Sequence, residues 1–198
     1  MTSTTKEIIE KYISLIEADK WDEFFETIQN IWIPQSVRNV VQTLEECEID
    51  PMPYLSFIPE GYYCCSPQSK AYIPSNITRI CYKAFYASDI EEITIPNSVI
   101  EVEEGAFEAC DFLKHVLFAE GTKYIQNLAF FECDALVNVT LPKSLVKIGH
   151  NVFNGCDNLT DVTYNGTREQ WNKIINREFI NEGGIIRYIH CVDGDIEL

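Results

Sequence analysis

Phenylalanine returns along this chain at a near-constant interval: Phe85, Phe107, Phe130 and Phe153 lie 22, 23 and 23 residues apart. Three residues after each stands Ser88, Cys110, Cys133 or Cys156, and five residues before each stands Ile80, Val102, Ile125 or Ile148. Ile93, Val116, Val139 and Val162 follow eight or nine residues later, and Ile95, Phe118, Leu141 and Tyr164 close each unit. The shorter interval reflects one residue missing between Ser88 and Ile90. Backwards, Tyr62, Cys65, Ala71 and Ile73 keep the spacing and add a first, degenerate unit. Self-similarity at this period marks a solenoid: each unit has an apolar face too small to bury alone, and stacking makes one continuous core.

Each unit contains a short strand. The pairs Ile73-Pro74, Ile95-Pro96 and Leu141-Pro142 end strands, because proline cannot continue a central ladder. Alternation over residues 114–118 turns Val116 and Phe118 inward and His115 and Leu117 outward. The units read Ile-Thr-Ile-Pro-Asn-Ser-Val-Ile-Glu-Val-Glu-Glu-Gly-Ala-Phe-Glu-Ala-Cys over 93–110 and Leu-Pro-Lys-Ser-Leu-Val-Lys-Ile-Gly-His-Asn-Val-Phe-Asn-Gly-Cys over 141–156. They closely resemble the BspA-like, or Treponema pallidum-type, leucine-rich repeat family, over about residues 54–166. The stretch Tyr-Asn-Gly-Thr-Arg-Glu-Gln-Trp-Asn-Lys-Ile (164–174), with Ile189-His190-Cys191, is similar to the closure of such arrays. Ser88 in place of cysteine, and Phe118-Ala119-Glu120-Gly121 where Ile/Leu-Pro is usual, depart from the motif and make the 116–138 unit a candidate for local irregularity. The resemblance implies protein recognition by a curved surface, and no catalysis.

The expected architecture is an α+β repeat solenoid of the leucine-rich type, with five rungs of 22–23 residues in a segment from 51 to 166. Residues 1–50 are expected to form a helical cap over the first rung. Ile8, Ile9, Tyr12, Ile13 and Ile16, then Trp21, Phe24, Phe25 and Ile28, then Val37, Val40, Val41, Leu44 and Cys47 follow helical spacing, and Asp19 with Asp22 caps the second helix. Residues 167–198 are expected to close the other end by a helix and a strand. Thr167 and Gln170 form a capping box that opens a helix with Trp171 and Ile174, and 184–192 reads as a closing strand before a turn at Asp193-Gly194-Asp195.

No phosphate loop, dinucleotide fingerprint, zincin helix or nucleophile elbow is present, and none of His115, His150 and His190 has a nucleophile at a diagnostic spacing. An enzyme is therefore not expected, nor a cofactor, nor a metal. Cys110, Cys133 and Cys156 stack on successive rungs, where strand spacing permits a disulfide but parallel side-chain directions oppose one. They read as buried, reduced thiols packing as small hydrophobes. Residues 1–20 lack a secretory h-region, and no apolar run approaches the ~20 residues of a spanning helix, so a cytoplasmic protein is expected, without membrane insertion. The sequons at Asn76, Asn138, Asn158 and Asn165 then read as unused.

By register, the outward residues of the strands are Lys70 and Tyr72, Glu92 and Thr94, His115 and Leu117, Asn138 and Thr140, and Asp161 and Thr163. The resemblance places them on the concave face, the expected surface for a protein partner. Charge supplies a second candidate. The chain carries 31 acids against 15 bases, a net charge of −16, which disfavours direct contact with nucleic acid. Residues 89–111 carry eight acids and no base, half of that surplus: Asp89, Glu91, Glu92, Glu101, Glu103, Glu104, Glu108 and Asp111. This band suits a basic partner, such as the nucleic-acid-binding surface of a protein that a phage or bacterial counter-defence inhibitor would occlude. Titration of the unfolded chain without reductant is expected to find all eight thiols, and a smaller number would reveal a bridge.

Overall fold

A computed structural model describes residues 56–198, and these form a unit of their own. The expected helical cap and its 1–50 boundary lie outside the described residues. Each turn of the solenoid contributes to two parallel ladders. One comprises β1 (Phe57–Ile58), β2 (Arg79–Ile80), β4 (Glu101–Val102), β6 (Tyr124–Ile125) and β8 (Lys147–Ile148), paired in that order. The other runs β3 (Glu92–Ile95), β5 (His115–Phe118), β7 (Asn138–Leu141), β9 (Asp161–Tyr164), β10 (Tyr188–Cys191) and β11 (Gly194–Glu197), the last pairing antiparallel. Alternating strand residues are buried: Ile93, Ile95, Val116, Phe118, Val139, Leu141, Val162 and Tyr164 line the core.

The expectation of five rungs is short by one. Lys70 bridges to Glu92 ahead of β3, Ile175 bridges to Lys147 beyond β8, and β10 adds to β9 in parallel, so the C-terminal segment completes a sixth turn rather than a separate closure. Its helical content is small: a single turn, α1 (Arg168–Trp171), opens on the Thr167–Gln170 capping box, followed by a 3-10 helix at Arg177–Asn181. The antiparallel hairpin of β10 and β11 then covers the end of the ladder.

The core is ordered as a stack. Tyr63, Phe85, Phe107, Phe130 and Phe153 lie ring on ring, with centroids 4.6, 4.7, 4.9 and 5.7 Å apart. Burial of each of the four phenylalanine rings contributes about 1.5–3 kcal/mol, and ring stacking adds about 0.5–1.5 kcal/mol. Tyr63 therefore takes the phenylalanine place in the first turn, not Tyr62. Its N–H donates to Ala84 O as that of Phe85 donates to Ala106 O, and Ser66 takes the place expected of Cys65. The first turn lacks the same residue as the second, and the spacing from Tyr62 to Ile73 conceals the deletion.

Backbone conformation repeats even where residue type does not. Gly61, Lys83, Gly105, Leu128 and Asn151 share a left-handed conformation at one position of the turn, and Cys65, Ala87, Ala109, Glu132 and Gly155 share it at a second. For non-glycine residues that conformation costs about 1–2 kcal/mol each, so neighbouring turns impose it.

The 116–138 unit is regular after all. β5 pairs with β3 from Glu92↔His115 to Ile95↔Phe118, and Ala119, lacking the proline ring, donates its N–H to Ile95 O at 2.9 Å. Gly121 makes the departure workable: at φ +144° its Cα lies so close to the preceding turn that an added Cβ would sit 2.0 Å from Asn97 O. Its N–H donates to Ser144 Oγ at 2.8 Å. Gly121→Ala is expected to destabilise the solenoid by about 3 kcal/mol or more, as strain and a backbone clash combine, and thermal unfolding will read it.

Candidate functional site

The strand period of two dictates that every second residue of β3, β5, β7, β9 and β10 leaves the core on one common face. Ladder register sorts these residues into two rows. One contains Lys70, Glu92, His115, Asn138, Asp161 and Tyr188; the other contains Tyr72, Thr94, Leu117, Thr140, Thr163 and His190. All ten residues expected on this face are therefore neighbours in space. Tyr188 and His190 join them only because β10 continues the ladder.

Most charges on the face are paired. Lys70 Nζ lies 3.4 Å from Glu92 Oε1, and Asn138 Nδ2 lies 3.0 Å from His115 Nδ1. His190 sits between two carboxylates, with Nδ1 2.9 Å from Asp195 Oδ1 and Nε2 3.5 Å from Asp161 Oδ1. The hydroxyls of Thr94, Thr140 and Thr163 have no partner among the described residues. At the Lys70 end a recess of about 510 Å³ is lined by Tyr72, Thr94, Pro96 and Leu117 together with Lys70, Glu92 and His115. Tyr72 is 76 % exposed and Leu117 47 %, and with Tyr188 they are the large apolar residues of this face.

The acids of the band 89–111 divide into a partnered and an unpartnered group. Five have partners from adjacent turns: Glu91 with Lys114 at 2.9 Å, Glu92 with Lys70, Glu103 with Arg79 at 3.3 Å, Glu108 with Lys83 at 3.3 Å, and Glu101 with Gln126 Nε2. Glu103 also accepts from Tyr82 N–H at 2.9 Å. All three bases of residues 56–88, Lys70, Arg79 and Lys83, are thus committed to the band's carboxylates. Asp89, Glu104 and Asp111 remain exposed, without a side-chain partner among the described residues. Lys114 holds Glu91 below the usual carboxylate range by a hydrogen bond and by charge.

The three stacked cysteines are structural. Cys110, Cys133 and Cys156 are buried and free, and their thiols donate to Phe85 O, Phe107 O and Phe130 O of the preceding turn, each at 3.1 Å. They are hydrogen-bond donors between turns as well as small hydrophobes. Burial pushes the Cys133 thiol well up, and burial with nearby Glu103 pushes Cys81 up to about 12, so neither supplies a thiolate nucleophile. The histidines are likewise occupied: His150 stacks on Phe179 at 3.7 Å and meets Glu182 Oε1 at 3.1 Å, a contact that long-range folding alone creates. Among the described residues no cluster of three or more His, Cys, Asp or Glu is arranged for a metal ion, and no helix is long and apolar enough to cross a membrane.

Stacked parallel turns of this length, with an interior lined by phenylalanine and cysteine, define a leucine-rich repeat solenoid. The BspA-type leucine-rich repeat region matches in six copies over residues 56–182, and the chain belongs to that family. A leucine-rich repeat protein from Bacteroides capillosus is 39 % identical over 46 % of this chain and 64 % of its own, with a TM-score of 0.43. The pneumococcal vaccine antigen PcpA is 27 % identical over 56 % of this chain and 28 % of its own, with a TM-score of 0.53. The chain thus spans less than two thirds of either structure. No curated protein matches it. Repeat families of this kind are in general non-enzymatic interaction modules.

Asp195, by hydrogen bond and charge, together with Asp161 raises His190 above its ordinary 6.5. The imidazolium is therefore favoured in the folded state, and its stabilisation is fully present below 6.5 and fades as pH rises through the raised folded value. Wild type is expected to lose thermal stability across that window relative to His190→Gln, and parallel unfolding curves for the two would contradict this.

Proposed function

We propose that the chain is a non-enzymatic protein-binding module that recognises its partner through the exposed face of the β3–β5–β7–β9–β10 ladder. The observation that carries this reading is the recess between Tyr72 and Leu117. An aromatic and an aliphatic side chain flank a concavity large enough for a bulky side chain, while the surrounding charges are already paired. Buried apolar anchors ringed by polar groups supply most of the energy in protein recognition. Leu117 stands on β5, whose backbone is fixed by pairing with β3 and β7, which lowers the ordering cost of binding on that side of the recess.

An acidic inhibitor working through the band 89–111 has less support. The partnered Glu91, Glu92, Glu101, Glu103 and Glu108 would each exchange an existing contact for a new one, leaving Asp89, Glu104 and Asp111 to attract a basic partner. The test is selection of displayed random peptides on the full chain. Wild type is expected to enrich specific peptides, Tyr72→Ala with Leu117→Ala to lose them, and charge reversal at Glu104 and Asp111 to leave them unchanged. The opposite pattern would place recognition on the acidic band.

A further inference from the structure

The first turn carries a pair of side chains that no later turn repeats. Tyr63 holds the phenylalanine place, so the next two positions, Cys64 and Cys65, correspond to Tyr86 and Ala87 in the second turn and to Glu108 and Ala109 in the third. Both cysteines are exposed, and their sulfurs lie 3.4 Å apart, either able to donate to the other. The backbone beneath them is held on both sides. Cys64 donates its N–H to Gly61 O at 3.1 Å, and Cys65, left-handed at φ 56°, donates to Tyr86 O at 2.9 Å. Ala87 makes the same bond to Glu108 O and Ala109 to Phe131 O, so the stack of turns imposes this conformation.

A disulfide is not what this geometry favours. Across the trans peptide the two Cα atoms stand ~3.8 Å apart, short of the ~4.4–6.8 Å that disulfides span. An atom placed between the sulfurs meets no such limit. With a bond of ~2.3 Å to each sulfur, typical of a thiolate ligand, the 3.4 Å separation closes an angle of about 95° at that atom. A pyramidal trivalent centre with a lone pair takes an angle near this, whereas zinc takes the wider tetrahedral one.

We infer that Cys64 and Cys65 form a chelating site for a trivalent arsenical carrying one substituent, R–As(OH)2. Such a centre has two bonds left to make, and two thiols complete it. Both As–O bonds break as two As–S bonds form, each thiol proton leaves with a hydroxide as water, and no electron is transferred. Cys110, Cys133 and Cys156 do not compete, because they are buried and donate to carbonyls of the preceding turn. The site lies off the strand face and stands independently of the recognition proposed there.

Titration of the reduced, native full chain with phenylarsine oxide, followed by intact mass and thiol counting, tests this. Wild type is expected to take up one equivalent with the loss of two reactive thiols. It should retain the arsenical in millimolar glutathione, a monothiol, and release it to dithiothreitol, a dithiol. Cys64→Ser and Cys65→Ala each leave one thiol, and each is expected to weaken uptake about 10²–10⁴-fold, the usual advantage of two linked ligands over one. Ala87 and Ala109 already place alanine at the second position, so Cys65→Ala keeps the fold. Uptake unchanged in either variant, loss of a single thiol on binding, or stripping by glutathione overturns the inference.

Discussion

No turn of this solenoid can bury its own apolar residues, so everything depends on the register between adjacent turns. Three interactions hold it at one place in the cross-section: the stacked rings from Tyr63 to Phe153, the thiols donating to the preceding turn's phenylalanine carbonyl, and the backbone bonds beside them. A slip of one residue would turn each strand's core residues to solvent. The ring stack and the thiol bonds oppose that slip, because a ring needs a ring above it and a thiol needs a carbonyl. The shared left-handed positions follow, since stacked backbones must adopt one conformation whatever the side chain.

The same register organises charge. A turn rich in carboxylates lies beside one supplying Lys70, Arg79 and Lys83, and the pairs close between turns. Exposed pairs of this kind contribute modestly, about 0–1 kcal/mol each. Five of the eight acids in the band 89–111 are thus partnered by a side chain from an adjacent turn.

A ladder this regular also makes a rigid platform. The rows on its outer face are as periodic as the core, so groups on distant turns sit at set multiples of the strand separation. The recess near Tyr72 and the carboxylates around His190 stand at opposite ends of that ruler.

Much of this was legible before any coordinates, because a repeat states its own contacts: Phe85, Phe107, Phe130 and Phe153 must stack if their units do. The alternation around Val116 and Phe118 likewise settled which residues face outward. Where the period was broken the reading failed. A residue missing from the first turn disguised Tyr63, and the last turn, interrupted by α1 and the 3-10 helix, read as a separate closure. Periodicity carries no information about partners that lie off the repeat. His150 meeting Phe179 and Glu182, His190 held between Asp161 and Asp195, and Gly121 against Asn97 depend on how far each chain segment travels before it returns. The sequence by itself determined a stacked solenoid, its core and its outward rows, since those follow from local spacing. Only the tertiary structure decided which charges are cancelled between turns and where an apolar recess stays open, because both depend on side chains brought together from different turns.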